Sequence, residues 1–431
     1  MGKGLVFLCI MLSVQIAVAA DGSLDGSFGV GGIVTTDLGG LDEVWAAVVQ
    51  PDKKLVALGK NGGKLALARY NINGSLDSSF GSGGIVITDI MSSPEVAYGG
   101  VVQIDGKLVA FGRASGDFTV VRYHADGSPD ALFGSDGTGI VVTDIPGGSG
   151  GAYAGVLQPD GKLVAFGFNK VGSNDDIVVI RYNSDGSLDD SFGVGGIVIT
   201  GIGGGNDRSY AGVLQPDGKL VALGNDSNDV TVVRYNSDGS LDDSFGVGGI
   251  VTTNVSGVGR FNAGVLQPDG KLVAFGYSGA TTARCFLIIR YNPDGSLDDS
   301  FGSGGIVTTD LGGDDFLNAG GLYPDGKLVA FGNNEIGGTR NFAVMRYNSD
   351  GSLDDSFGSG GIVITDIGGS SMDDDRVNVG VVQSDGKLVA FGVSDDNFAA
   401  ARYLVPSLKI SPLAQSIRAK YLLLSKNNLY S

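Results

Sequence analysis

The dipeptide Arg-Tyr closes seven successive units of this chain, at Arg69, Arg122, Arg181, Arg234, Arg290, Arg346 and Arg402, spaced 53, 59, 53, 56, 56 and 56 residues apart. A chain that repeats at such a period folds as an array of like units, each burying its apolar faces against its neighbours. Two further strings keep the same order. An Asp-Gly-Lys turn recurs at Asp105, Asp160, Asp217, Asp269, Asp325 and Asp385, while the copy at Asp52 has Lys53 in place of the glycine. The string Asp-Gly-Ser-Leu-Asp-x-Ser-Phe-Gly begins at Asp21, Asp185, Asp238, Asp294 and Asp350, with looser copies from Asn73 and Asp126. The length of 431 residues would suggest two or three domains of ~150 residues; the repeat replaces that expectation with a single array.

Each unit carries four short apolar runs bounded by Gly, Asp and Asn, in the fourth unit 195–200, 210–215, 219–224 and 230–235. Gln-Pro-Asp-Gly-Lys between the second and third runs reads as a tight hairpin, with Asp-Gly supplying the positive-φ positions. The runs are apolar on both faces (Val230, Val232, Val233; Leu220, Val221, Ala222), so the sheet they form must be covered on both sides. Seven such sheets predict an all-β fold, a seven-bladed β-propeller with four antiparallel strands per blade. An open β-solenoid is the runner-up, but units near ~56 residues are long for one coil. If each blade begins at the second run, the N-terminal run 31–36 completes the last blade and closes the ring, which removes two exposed edges. The 75 glycines, against 11 prolines, are then the punctuation of many short strands rather than a mark of low complexity.

The strings Gln-Pro-Asp-Gly-Lys-Leu-Val-Ala-x-Gly, Arg-Tyr-Asn-x-Asp-Gly-Ser-Leu-Asp-x-Ser-Phe-Gly and Gly-Ile-Val-x-Thr resemble the delta-60 repeat family, a bacterial β-propeller repeat domain of unknown function. The resemblance covers residues 21–403 and leaves 404–431 outside. It implies a propeller and export, and it implies no activity.

The net charge is −18, and residues 21–403 hold 24 basic against 47 acidic side chains. Such a surface repels phosphate backbones and anionic lipid, so nucleic acid is not an expected partner. Residues 1–20 read as a signal peptide: Met-Gly-Lys, an apolar run over 5–14, then Ala17-Val18-Ala19-Ala20 with cleavage after Ala19 or Ala20. The mature protein is therefore expected to be secreted or periplasmic. Cys9 leaves with the leader, so Cys285 has no intramolecular partner, and no transmembrane segment is expected after cleavage. The tail 404–431 carries four cations, with helical spacing at Leu413, Ile417, Tyr421 and Leu424 that suggests a short helix.

An Arg in an otherwise apolar strand needs a partner. The Asp that follows Ser-Leu recurs once per unit, so structural ion pairs are expected at Arg181–Asp189, Arg234–Asp242, Arg290–Asp298 and Arg346–Asp354, with equivalents in the other units. The connector 183–190 also gathers oxygen-bearing side chains, including Asn183, Asp185, Asp189 and Asp190, as part of an EF-hand loop would. It lacks the terminal bidentate Glu, and an Asx turn explains the string equally well, so calcium is an alternative and no cofactor is assigned. His124, the only histidine, stands where most units have the Asn after Arg-Tyr, which leaves His-based catalysis without support. Cys285 reads as a silent thiol, Trp45 as a packing residue or a ligand platform, and Asp373-Asp374-Asp375 as solvated loop charge rather than a glycosidase pair.

Alternating strand direction sorts the connections onto two faces. The two-to-three and four-to-one connections are nearly identical in every unit; the one-to-two and three-to-four connections vary strongly, as at 144–153, 201–210 and 366–378. Function is expected on the varied face, with the central opening as the default ligand site. The leading expectation is a secreted, non-catalytic binding or adhesion propeller that recognises a protein or glycan. An exported hydrolase or lyase with a carboxylate site at the opening, and a calcium-stabilised envelope protein, are the alternatives.

Overall fold

The computed structural model describes residues 20–405, apart from 92–93, 146–147, 281, 337 and 369–373. The leader read in 1–20, except Ala20, and the helix read in 404–431, except its first two residues, lie outside the described residues. Among these residues there are 28 strands and seven four-stranded sheets, every pairing antiparallel. Blade 4 sets the pattern, with Asp207–Leu214 innermost, then Leu220–Asp226, Asp229–Tyr235 and the outer strand Ile250–Thr253. The inner strands of the other blades are Asp42–Val49, Glu95–Val102, Gly150–Leu157, Arg260–Leu266, Asp314–Leu322 and Arg376–Val382. They neighbour one another in a ring around a central channel. Blade 7 takes its outer strand from the N-terminus: Ile33–Thr36 pairs with Asn397–Tyr403, in the register Ile33 to Ala401. The ring is closed as the repeat order predicts.

The core lies between blades rather than within them. One of its seven clusters joins Val164, Phe166, Ile177, Val179 and Phe192 of blade 3 to Leu220, Ala222, Val233 and Tyr235 of blade 4, all essentially inaccessible. This is why the second and third strands are apolar on both faces: each face meets a different neighbour.

Every inner strand carries a bulge. In blade 4 the register shifts between Ser209 and Ala211, leaving Tyr210 as the extra residue, and the same shift recurs in all seven blades. A glycine faces each bulge from the second strand. At Gly224 a Cβ would run into the carbonyl oxygen of Arg208, and Gly59, Gly112, Gly167, Gly276, Gly332 and Gly392 meet the same obstruction. The glycine of Leu-Val-Ala-x-Gly is thus the cost of the bulge, and the bulge aims one side chain per blade at the channel.

Candidate functional site at the channel mouth

The uniform face of the ring is scaffold. Arg181 Nε donates to Asp189 Oδ2 at 2.6 Å, and the equivalent distances are 2.6 Å for Arg234–Asp242, 2.6 Å for Arg290–Asp298 and 2.7 Å for Arg346–Asp354. The hairpin lysine joins each pair, Lys162 Nζ reaching Asp189 at 2.8 Å. Burial pushes the Asp189 carboxyl up, but hydrogen bonds from Lys162, Ser191 and Arg181 outweigh it and hold the group well below the usual carboxylate range. The guanidinium also lies over Phe192, 4.6 Å from the ring centre. Its Nη1 crosses to the next blade and donates to the carbonyl of Ser237. The tyrosine after it reaches the other way: Tyr235 donates to Thr200 Oγ1 of the preceding blade at 2.9 Å, and the Tyr–Thr contact recurs at all seven interfaces. Consecutive strand residues point to opposite faces, so Arg-Tyr clasps both neighbours at once.

The calcium candidates are not brought together. Asp185 Oδ1 accepts from the Ser187 amide at 2.9 Å and hydroxyl at 2.7 Å, Asn183 donates to Ser187 and Leu188, and Asp189 is held by its cations. Asp190 points to solvent, and among the described residues no three acid, His or Cys side chains converge on one point. His124 also sits on this scaffold face, its Nε2 3.7 Å from Asp130.

On the varied face, a buried acid three residues before the bulge staples the crossover loop. The Leu38 amide donates to Asp42 at 2.6 Å, Ile90 to Glu95 at 2.8 Å, Leu311 to Asp315 at 2.7 Å and Ile367 to Asp375 at 2.6 Å. In blades 1 and 6 an Asn on the second strand completes the staple, Asn61 to Asp42 at 2.6 Å and Asn334 to Asp315 at 2.8 Å. Blade 4 has a second acid there, Asp226 opposite Asp207. Burial, reinforced by the Asp226 carboxyl, pushes Asp207 up to about 7 against the pull of the Ile202 amide. Of the loop acids Asp373-Asp374-Asp375, Asp373 lies outside the described residues, Asp374 pairs with Arg340 and Arg376, and Asp375 is the staple of blade 7.

The bulge residues give the channel two unlike halves. Blades 1 to 4 present Trp45, Tyr98, Tyr153 and Tyr210; blades 5 to 7 present Asn262, Asn318 and Asn378. Tyr98 and Tyr153 stack at 4.5 Å, Tyr153 and Phe168 at 4.9 Å, and Trp45 and Tyr210 close the ends of this wall edge-on. The asparagines clamp blade to blade: Asn262 donates to the Leu317 carbonyl at 2.8 Å, Asn318 to Val377 at 2.7 Å and Asn378 to Val44 at 2.8 Å. The two arcs enclose a cavity of about 670 Å³, within the ~300–1,000 Å³ of small-molecule sites.

Arginines accompany both arcs, Arg208 over Phe168 at 4.9 Å and Arg376 beside the asparagine half. Arg208 pairs with Asp175 through Nε at 2.7 Å, and Arg376 with Asp374 at 3.1 Å. Among the described residues no acid lies within ion-pair distance of Arg113 or Arg260. Arg260 lies on the face of Tyr210, 3.5 Å from its centre, and Arg113 lies near enough to Tyr153 to oppose the rise that burial gives its hydroxyl. Burial, reinforced by Tyr153 and Glu43, lifts the Tyr98 hydroxyl to about 12, and Arg113 and Arg260 act on it in the opposite sense.

Of the residues singled out in the sequence, only Trp45 faces this cavity. The rest of the column is nevertheless present in the repeats, five residues before the Gln of the hairpin in six units and before Tyr323 in another. It reads Trp, Tyr, Tyr, Tyr, Asn, Asn, Asn, a single strand position whose chemistry changes in the middle of the array.

Fold and site together define a seven-bladed β-propeller of tandem repeats whose strands build a scaffold and whose channel mouth is individual. Six segments, 50–80, 103–133, 158–192, 215–245, 267–301 and 324–357, match the model of a β-propeller domain of unknown function, DUF5122. The seventh blade, split between the C-terminal strands and the N-terminal strand region by ring closure, lies outside the matched segments. No curated protein matches the chain in sequence. Among solved structures the chain is similar to virginiamycin B lyase from Staphylococcus aureus, at 11% identity and a TM-score of 0.48, covering 86% of this chain and 99% of that one. It is also similar to Sqt1 from Chaetomium thermophilum bound to the N-terminus of a ribosomal protein, at 14% identity and a TM-score of 0.44, covering 86% and 98%. These likenesses are of fold. Among the described residues no helix is long and apolar enough to cross a membrane.

Proposed function

We propose that this is a secreted or periplasmic binding propeller of the delta-60 repeat type, without catalytic activity, which takes a glycan or protein ligand in the mouth of its channel. The observation that carries the reading is the bulge column. Most buried strand positions repeat from unit to unit, because packing demands it; the bulge position instead changes by half-ring, aromatic in blades 1 to 4 and asparagine in blades 5 to 7. Rigid aromatic side chains beside arginines, around a preformed cavity, are the composition of recognition sites. The most strongly raised carboxyl, Asp207, belongs to a loop staple, as do the raised Asp42, Asp315 and Asp375, so these acids serve the architecture of the mouth rather than a reaction within it.

Trp45 is the only tryptophan and lines the cavity, so its fluorescence reports entry of a ligand directly. A panel of soluble glycans and peptides is expected to contain a compound that shifts this emission and loses its effect in Tyr153→Ala. A ligand that binds the protein and Tyr153→Ala equally would place recognition elsewhere, and turnover of the bound compound would make the protein an enzyme.

A further inference from the structure

The mouth also constrains the chemistry of what enters it; the inference rests on the binding role proposed above. Three kinds of contact meet there. The aromatic wall offers an apolar surface that favours flat C–H faces. The asparagine arc offers amides whose nitrogens are already committed to backbone carbonyls, and Asn262 Oδ1 is left without a donor. Arg260, in the cavity lining, and Arg113, close enough to act on Tyr98 and Tyr153, supply positive charge with no acid within ion-pair distance among the described residues. Glu43, which also acts on Tyr98, is paired with Lys60 at 2.8 Å. An Arg held against an aromatic ring remains free to fork onto a carboxylate. Gly151 is part of this arrangement: a Cβ there would meet the Arg113 side chain at 2.7 Å, so its absence lets that arginine lie across blade 3 and reach Tyr153.

We propose that the channel mouth binds an acidic sugar, a pyranose ring carrying a carboxylate, with its C–H face on the Tyr98–Tyr153 wall, its hydroxyls toward the asparagine arc and its carboxylate on Arg113 and Arg260. Each alternative leaves one element unused. A neutral glycan leaves two guanidinium groups without a counter-charge. An aromatic acid without ring hydroxyls, such as benzoate, has nothing to offer the amides. An acidic peptide has the charge but no flat saturated ring. The cavity of about 670 Å³ admits more than one sugar ring, so the end of a chain or a short oligomer fits.

The test follows Trp45 emission of the folded mature protein during titration with α-1,4-linked trigalacturonate, with maltotriose as the neutral probe and hexa-aspartate as the acidic peptide. Trigalacturonate is expected to bind at least about ten-fold more tightly than maltotriose, the weight of one charge-assisted hydrogen bond. The double variant Arg113→Gln, Arg260→Gln should bring the two sugars to equal affinity, while the Arg113→Lys, Arg260→Lys pair keeps part of the preference; melting curves verify that each variant is folded. Equal binding of the two sugars by the unaltered protein overturns the acidic-sugar assignment and leaves the binding role standing. Tighter binding of hexa-aspartate replaces the sugar with a peptide. If none of the three probes moves Trp45 while another ligand does so, the acidic sugar is refuted; if every ligand that is found binds without moving it, the mouth is not the binding site and the underlying role fails with it.

Discussion

Replacing Asp226 by Asn gives blade 4 the staple that blades 1 and 6 already have, an Asp whose carboxylate takes an amide from the facing strand. In the native pair two carboxyls face each other, and burial together with Asp226 raises Asp207 from 3.8 to about 7. A folded-state value above the unfolded one means that stability is fully present below about pH 4, is lost as the pH rises through 7, and is wholly missing above that. The interval corresponds to at most about 4 kcal/mol, and to about half of that once water at the loop relaxes around the charge. Asp226→Asn supplies a donor that does not titrate, so it should stabilise the protein by about 2 kcal/mol near pH 8 and by little near pH 4. Urea unfolding of both proteins across this range isolates the effect, because every other acid is common to the two. A stability gain that is the same at both ends, or a loss near pH 8, would refute the reading that the facing Asp226 carboxyl raises Asp207.

Other consequences are as direct. Arg234→Ala leaves Asp242 buried without its arginine and unhooks blade 4 from the Pro293 carbonyl, so urea unfolding should show a loss of about 3–5 kcal/mol, against about 1 kcal/mol for Tyr235→Phe. Because Asp189, Asp242, Asp298 and Asp354 are held below the usual carboxylate range, their stabilisation is present above about pH 4 and should drain away on further acidification, visible as a falling melting temperature. Gly224→Ala places a methyl against the Arg208 carbonyl and should cost about 1–3 kcal/mol with a disturbed near-ultraviolet signal from Tyr210. Calcium should leave the melting temperature where chelator leaves it, since Asp185 and Asp189 are engaged with Ser187 and Arg181; a rise with calcium would restore the metal reading.

The fold was legible because its signals are local and repeated. Asp-Gly hairpins, short runs apolar on both faces and an N-terminal run out of phase with the last unit are enough to write down seven closed blades. The Arg and Asp could be matched because in six of the units they recur at fixed places only eight residues apart. The clasp between blades was not legible. Arg181 donating to Ser237, and Tyr235 to Thr200, join positions 56 and 35 apart, and only the docking of one sheet on the next brings them together. The central opening was expected as the site, but the residues that line it escaped for a different reason. A bulge is a slip of register, invisible to an alternation pattern, so Tyr98, Tyr153 and Tyr210 read as ordinary members of apolar runs. Trp45 drew notice only as a rare residue. The facing glycine was in plain view in all seven units, but it read as a turn marker rather than as the partner of a bulge.

Blade 7 holds the same Arg–Asp pair as the others, yet its members, Arg402 and Asp25, are separated by 377 residues where the pair of blade 4 spans eight. Closing a loop of that length rather than a short one costs roughly 3 kcal/mol more in chain entropy. Identical contacts therefore return less net stability at the seam than anywhere else in the ring. The side chain of Asp21 works against this. It supplies to Arg346 the oxygen that a main-chain carbonyl supplies at every other interface, so the seam is fastened by a charge where the remaining joints are fastened by dipoles.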